Sequence, residues 1–205
     1  MRPIPVSLAV EDDLSESVLK AILKQVDRGY AVGPVHSRGG FGYLKKNALR
    51  FNRAAERGVF LMLTDLDKAE CPKSLIDSWL GRETPIHGNF LLRVATREVE
   101  AWLLADRVNL ANFLRVAPTL FPRHNPDELQ DPKQTLVDIA RKSRSREVRE
   151  RLLPRPGSTA KQGPDYNSCL DEFVSGQWNI ATARVQSDSL ERAIRRFEQF
   201  EPAGW

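Results

Sequence analysis

Three groups of carboxylates carry the chemistry this chain could do. Glu11 ends the run Leu8-Ala9-Val10-Glu11-Asp12-Asp13, and Asp65 and Asp67 end Leu61-Met62-Leu63-Thr64-Asp65-Leu66-Asp67. Glu98 and Glu100 open Arg97-Glu98-Val99-Glu100-Ala101-Trp102-Leu103-Leu104-Ala105-Asp106. Each group follows a short apolar run, and acids gathered in one pocket repel one another unless a cation neutralises them. Oxygen-only donors select hard cations. Mg2+ (or Mn2+) takes one or two carboxylates and keeps water or phosphate oxygens as its remaining ligands. In an extended segment side chains repeat every two residues, so Asp65 and Asp67 are expected on one side. Glu98 and Glu100 are two apart on an expected helix and so face different directions, and Glu100 is the stronger candidate. His36, His87 and His124 are scattered without ligand spacing. One acid after a strand is ordinarily a turn former or a helix cap. Acids after three strands in one chain favour a shared site.

The elements that must position these acids alternate. Val6–Val10 reads as a buried strand, and Ser15–Val26 as a core-facing helix with Val18, Leu19, Ile22, Leu23 and Val26 on one face. Gly29 ends that helix, and a second strand is expected over Tyr30–Val35. Arg38-Gly39-Gly40-Phe41-Gly42 reads as a loop before a helix over Tyr43–Arg57 that Gly58 would cap. Val59–Leu63 is the pattern of a strand covered on both faces. A helix over Ser74–Leu80, a strand over Phe90–Ala95 and a helix around Glu98–Ala105 complete the series. This rhythm predicts an α/β fold, a largely parallel sheet flanked by helices. The carboxyl ends of its strands would then share one edge, where ligands bind.

Beyond about residue 106 the strand patterns stop, so 1–106 is expected as the α/β domain and 107–205 as a helical C-terminal extension. Helices are expected over Leu110–Val116, Lys133–Lys142, Leu170–Trp178 and Ser187–Phe200. Loops are expected over Phe121–Asp131 and Pro154–Gly163, the second a mobile one. Trp102 and Leu103 read as core residues, and Asp106 as the cap of the next segment or a member of the site.

The whole chain has 205 residues, 41% apolar and 28% charged, a globular balance able to bury a core without disulfides or a structural metal. Lys plus Arg exceeds Asp plus Glu by 31 to 27. The excess is concentrated. From Lys133 to Lys161 nine basic residues face three acids, and Arg141, Lys142, Arg144, Arg146, Arg149 and Arg151 are the candidates for contact with a nucleic-acid backbone. No apolar run is long enough to span a bilayer, and the amino-terminal segment lacks the pattern of a signal peptide, so a cytoplasmic location is expected. Cys71 and Cys169 show neither zinc spacing nor the partners of a thiol nucleophile. The glycines at 39, 40 and 42 precede a helix but lack the Lys-Ser/Thr ending of a nucleotide-binding loop, and a tight turn is the expectation there.

Glu11 after the first strand, Asp65-x-Asp67 after a buried strand and the glycines before a helix together resemble a Toprim domain. That is the catalytic fold of topoisomerases, primases and overcoming-lysogenization-defect nucleases. The Glu98-Val99-Glu100-Ala101-Trp102-Leu103-Leu104-Ala105-Asp106 string is similar to the hallmark of the Toprim-like DUF4276 proteins, short bacterial proteins often encoded beside an ABC-type or AAA-type ATPase. The likeness runs from about residue 5 to 106 and, more loosely, through Gly163-Pro164-Asp165-Tyr166 and the last helix. It departs at one place: Glu11-Asp12-Asp13-Leu14-Ser15-Glu16 stands where the family has Glu-Gly-x-Thr-Glu, with Asp12 at the glycine.

The resemblance implies that Asp65 and Asp67 hold Mg2+. It makes Glu11 a general base or acid, or a second-metal ligand, and Glu100 a further ligand or the orienter of a metal-bound water. A metal-dependent nuclease acting with a partner ATPase in bacterial defence against phage is the activity it implies. A non-catalytic Toprim-like adaptor of an ATPase complex is the alternative, slightly favoured by Asp12. A response-regulator-like receiver also clusters acids at strand ends, but would need strand-helix units beyond residue 106.

Overall fold

The structure, a computed structural model, describes residues 3–37 and 39–204. It divides into two compact units, Met1–Thr96 with Arg192–Trp205, and Arg97–Glu191. The first is built from β1 (Ile4–Ala9), α1 (Asp13–Gln25), β2 (Tyr30–His36), α2 (Gly40–Ala54), β3 (Val59–Asp65), α3 (Pro72–Leu80) and β4 (Phe90–Ala95). All neighbouring strands run parallel in the order β2-β1-β3-β4, with Leu8 opposite Leu61 and Asp65 opposite Ala95. The expected α/β class, with its parallel sheet, flanking helices and helical carboxy-terminal part, is what the chain adopts.

Local chemistry explains the elements. Asp12, extended at φ −149°, caps α1 by accepting the Ser15 amide at 2.8 Å, and Asp13 and Glu16 complement the positive end of the helix. Leu14, Val18, Leu19, Ile22 and Leu23 form the buried face. β3 is buried almost throughout, and its Met62 packs with Leu44, Phe51, Trp79 and Leu92 in a core supplied by α2, α3 and the sheet. The tail closes onto the same unit. The Tyr30 hydroxyl donates to the Phe197 carbonyl at 2.7 Å, and Asn89 exchanges two hydrogen bonds with the Ala203 backbone.

Three expectations need correction here. The glycines at 40 and 42 lie inside the first turn of α2, whose N-cap Gly39 has φ +118°; a Cβ there would meet Tyr43 Cβ at 2.7 Å. The run is therefore a tight helix start, with Arg38 outside the described residues. Gly58 caps nothing, because α2 ends at Ala54 with Ala55 as its C-cap. The chain leaves the α/β unit at Thr96, where Arg97 turns through φ +66°, instead of at residue 106.

The second unit holds α4 (Val99–Ala105), α5 (Arg107–Leu114), α6 (Pro132–Ala140), α7 (Arg146–Leu152), α8 (Tyr166–Gly176) and α9 (Ile180–Ala183), and α10 (Asp188–Glu198) begins in it. α7 and α9 are additional to the expected helices. Every residue of α4 is buried, the signature of a helix surrounded on all sides. Trp102 donates its indole N–H to Ser189 Oγ at 2.7 Å, so it is core, as expected. Asp106 accepts from Asn109, from the Asn179 amide at 2.8 Å and from Thr182 Oγ1 at 2.9 Å, which anchors the start of α9.

The proline-rich stretch from 154 is exposed over 155–161, but its far end is pinned. The Gly163 amide donates to the Leu152 carbonyl at 2.9 Å, and a Cβ on Gly163 would stand 2.1 Å from the Arg151 carbonyl oxygen. Gly163→Ala is therefore expected to lower stability by about 2 kcal/mol, since backbone must shift to admit the methyl group. Chemical denaturation checks this; an unchanged midpoint contradicts it.

Candidate functional site

Strands β1 and β3 are neighbours although β2 lies between them in sequence. The chain leaves β1 toward one side of the sheet and reaches β3 on the other, which makes the carboxyl ends of these two strands the switch point of the sheet, the place where open α/β sheets bind ligands. Glu11 stands there. Continuing the Ala9–Met62 pairing sets it beside Thr64. Its Oε1 accepts the Thr64 hydroxyl and, at 2.9 Å, the Asp65 amide. Burial raises its pKa above the usual carboxylate value. The Thr64 and Asp65 donors pull it back down, while the negative charges of Asp67 and Asp12 push it up further.

Asp65 closes β3, whereas Asp67 does not continue the strand. Leu66 extends the ladder by donating to the Ala95 carbonyl at 2.9 Å, and Asp67 then turns into the left-handed region at φ +48°. The strand alternation expected to align Asp65 with Asp67 therefore fails, since it needs two extended residues in succession. Asp67 reaches the neighbourhood of Glu11 by a turn. Asp12 is occupied as the α1 cap, and its extended backbone places no demand for glycine. Among the described residues no group of three or more His, Cys, Asp or Glu is arranged to hold a metal ion.

Glu98 and Glu100 belong to the helical unit and are engaged inside it. Glu98 Oε2 accepts the Lys133 amide at 2.9 Å, at the start of α6. Glu100 is 1% exposed; its Oε1 lies 3.3 Å from Lys133 Nζ and accepts the Tyr166 hydroxyl at 3.1 Å. Burial pushes the Glu100 carboxyl up to about 7, with Lys133 working against the shift and Glu98 adding to it. The two glutamates thus meet at one lysine. They were expected to face apart, but Glu98 is the extended N-cap residue and not a helical one.

The basic stretch is largely self-paired. Arg146 Nε lies 2.7 Å from Glu150, Arg151 forks onto Glu172 at 2.9 and 2.6 Å, Arg141 lies 3.9 Å from Asp138, and Arg149 donates to the Ser143 carbonyl. Among the described residues Lys142 and Arg144 have no such side-chain partner. Cys71 caps α3 through Ser74, and Cys169 is buried, its thiol pushed up to about 11 by that burial.

Thr64, Lys133 and Tyr166 organise these carboxylates and were not singled out by sequence for it. Tyr166 stands in the Gly163-Pro164-Asp165-Tyr166 segment, and Thr64 directly precedes Asp65, so position alone offered a hint. No family model, curated protein or solved structure matches the chain.

Proposed function

We propose that this protein is a divalent-cation-dependent nuclease, or the nuclease subunit of a complex with an ATPase, whose reacting edge is the crevice outside β1 and β3. The observation that carries the reading is Glu11, anchored by Thr64 and the Asp65 amide beside the acids that follow β3. The donors are all hard oxygens and too few for a closed cage. They fit a hydrated Mg2+ or Mn2+ that keeps water and phosphate oxygens as its other ligands. Such an ion would be held by Asp65 and Asp67, and when bound it would neutralise charge building on a phosphoryl oxygen. Glu11 supplies the base: its raised pKa brings it toward the range where a carboxylate takes a proton efficiently, and Thr64 and the Asp65 amide fix its orientation. Glu100 is assigned to the internal architecture of the helical unit. A nucleic-acid substrate, a cytoplasmic setting and a role in anti-phage defence belong to the same proposal and rest on the family resemblance and the basic stretch. Among the described residues no helix is long and apolar enough to cross a membrane.

The adaptor reading keeps one observation in its favour. Asp12, Glu98 and Glu100 all have structural duties, and no ready three-acid metal set exists.

Incubating the chain with labelled single- and double-stranded DNA and RNA, with Mg2+ or with excess chelator, tests the nuclease reading. Chelator-sensitive cleavage lost in Glu11→Gln is the expected result. Cleavage indifferent to chelator, or equal in the variant, refutes it. Calorimetric titration with Mn2+ gives a second test that needs no partner: wild type should bind the ion, and a flat titration favours the adaptor.

A further inference from the structure

An open groove of about 990 Å3 runs along α5, α7 and α8 within the helical unit, a size in the range of ligand sites. Phe113, Arg115, Arg144, Glu147, Arg151 and Glu172 line it. The two acids on its wall face the fork of Arg151, which lies 2.6 Å from Glu172 and 3.9 Å from Glu147. Arg115 and Arg144 have no such counter-charge. Among the described residues neither guanidinium has a hydrogen-bond or ion-pair partner. Their backbones are tied together, because the Arg144 amide donates to the Arg115 carbonyl at 3.2 Å. Two unopposed cations from distant segments are thus held side by side on one groove. Phe113 is half-buried and lines the groove, its ring 5.4 Å from the fully buried Phe173.

We propose that this groove binds a nucleotide unit, with the phosphate between Arg115 and Arg144 and the base against Phe113. Planar guanidinium groups grip phosphate oxygens in pairs, and an aromatic surface beside them takes a base of any sequence. The proposal rests on the nuclease reading for the choice of a nucleotide among phosphate-bearing ligands. It replaces the broad basic surface expected from sequence with a smaller site that includes Arg115, a residue outside the basic stretch. The unit recognised is either a free mononucleotide or one unit of a single strand.

The test is fluorescence anisotropy on the full chain with a labelled ten-residue thymidine oligonucleotide, in metal-free buffer with chelator. Adenosine monophosphate, inorganic phosphate and polyglutamate serve as competitors. The double variant Arg115→Asn, Arg144→Ser is chosen because asparagine tolerates the φ of +55° at position 115. It should weaken binding at least tenfold and flatten the salt slope by about 1.4, two contacts' worth for a single strand. Phe113→Leu, which keeps apolar contact with Phe173, should weaken binding about fivefold or more. Competition by the mononucleotide supports a free-nucleotide site, and binding of the oligonucleotide alone supports a strand site.

Unchanged affinity and slope in a double variant that melts like wild type overturn the proposal. So does absence of binding to wild type, or phosphate competing as well as the mononucleotide. Displacement by polyglutamate as effective as by nucleotide hands the groove to an acidic protein partner. Oligonucleotide binding by the wild type without Mg2+-dependent cleavage fails the nuclease reading alone, and cleavage that survives loss of groove binding fails this one alone.

Discussion

Replacing Glu100 by alanine is expected to destabilise the protein by about 2–4 kcal/mol, because it empties a fully buried position and strips a half-buried ammonium and a buried hydroxyl of their partner. The Lys133 ammonium loses its partner at 3.3 Å, the buried Tyr166 hydroxyl loses its acceptor at 3.1 Å, and a cavity opens beside a helix with no exposed face. Glu100→Gln keeps an acceptor for Tyr166 and nearly the same volume, so its cost at pH 7 should be less than half as large. Urea denaturation of both variants reads the difference. Equal costs would show that the carboxylate charge facing Lys133 decides the effect, and not the volume or the Tyr166 acceptor that Gln keeps.

The same residue sets a pH dependence. Burial raises the folded pKa of Glu100 from the ordinary 4.5 to about 7. Between those values the folded protein holds a proton that the unfolded chain has released. Stability from this group is then fully present below about pH 4.5 and lost as pH rises through 7. Glu11, raised in the same direction, adds a slope of the same sign. The wild-type free energy of unfolding should fall across this window by more than that of Glu100→Gln. Parallel curves for the two proteins would remove Glu100 as the titrating group.

The second large effect is on activity. Asp65→Asn and Asp67→Asn should each lower Mg2+-dependent cleavage by at least about 100-fold, the upper end of what removing even an outer partner of a metal costs. Mn2+ binding should weaken in parallel. Stability should stay near wild type, since Asn preserves the side-chain volume and the Asp65 amide still donates to Glu11. Asn also tolerates the left-handed backbone at position 67. A variant that cleaves and binds Mn2+ as wild type does ends the cation reading of this edge. Loss of cleavage accompanied by a large drop in melting temperature would instead place the residue in the fold.

Local sequence determined the elements and their class. The continuous apolar run of Val59–Leu63, the apolar spacing of α1 and the strand over Phe90–Ala95 are short-range signals, and each became the element expected. Parallel pairing needs a crossover of about a dozen or more residues, usually a helix, and the alternation of strands with helices supplies one each time, so the placement of Glu11 and Asp65 after parallel strands was legible as well. The adjacency of β1 and β3, which brings Glu11 beside Thr64, was decided by strand order, a long-range choice that no window of sequence encodes. Tertiary structure also decided what each acid does. Asp67 left the strand because the ladder with β4 ends at Leu66, and Asp12 became a cap because α1 began beside it. Glu98 and Glu100 look alike in sequence to the acids after β3. They became internal because α4 is surrounded by other helices, where a carboxylate must find partners or be desolvated alone; the partners came from Lys133 and Tyr166, more than 30 and 60 residues away. Residue type announced which groups could do chemistry, but burial and neighbours assigned them, because the cost of an unpaired charge depends on surroundings that only the folded chain creates.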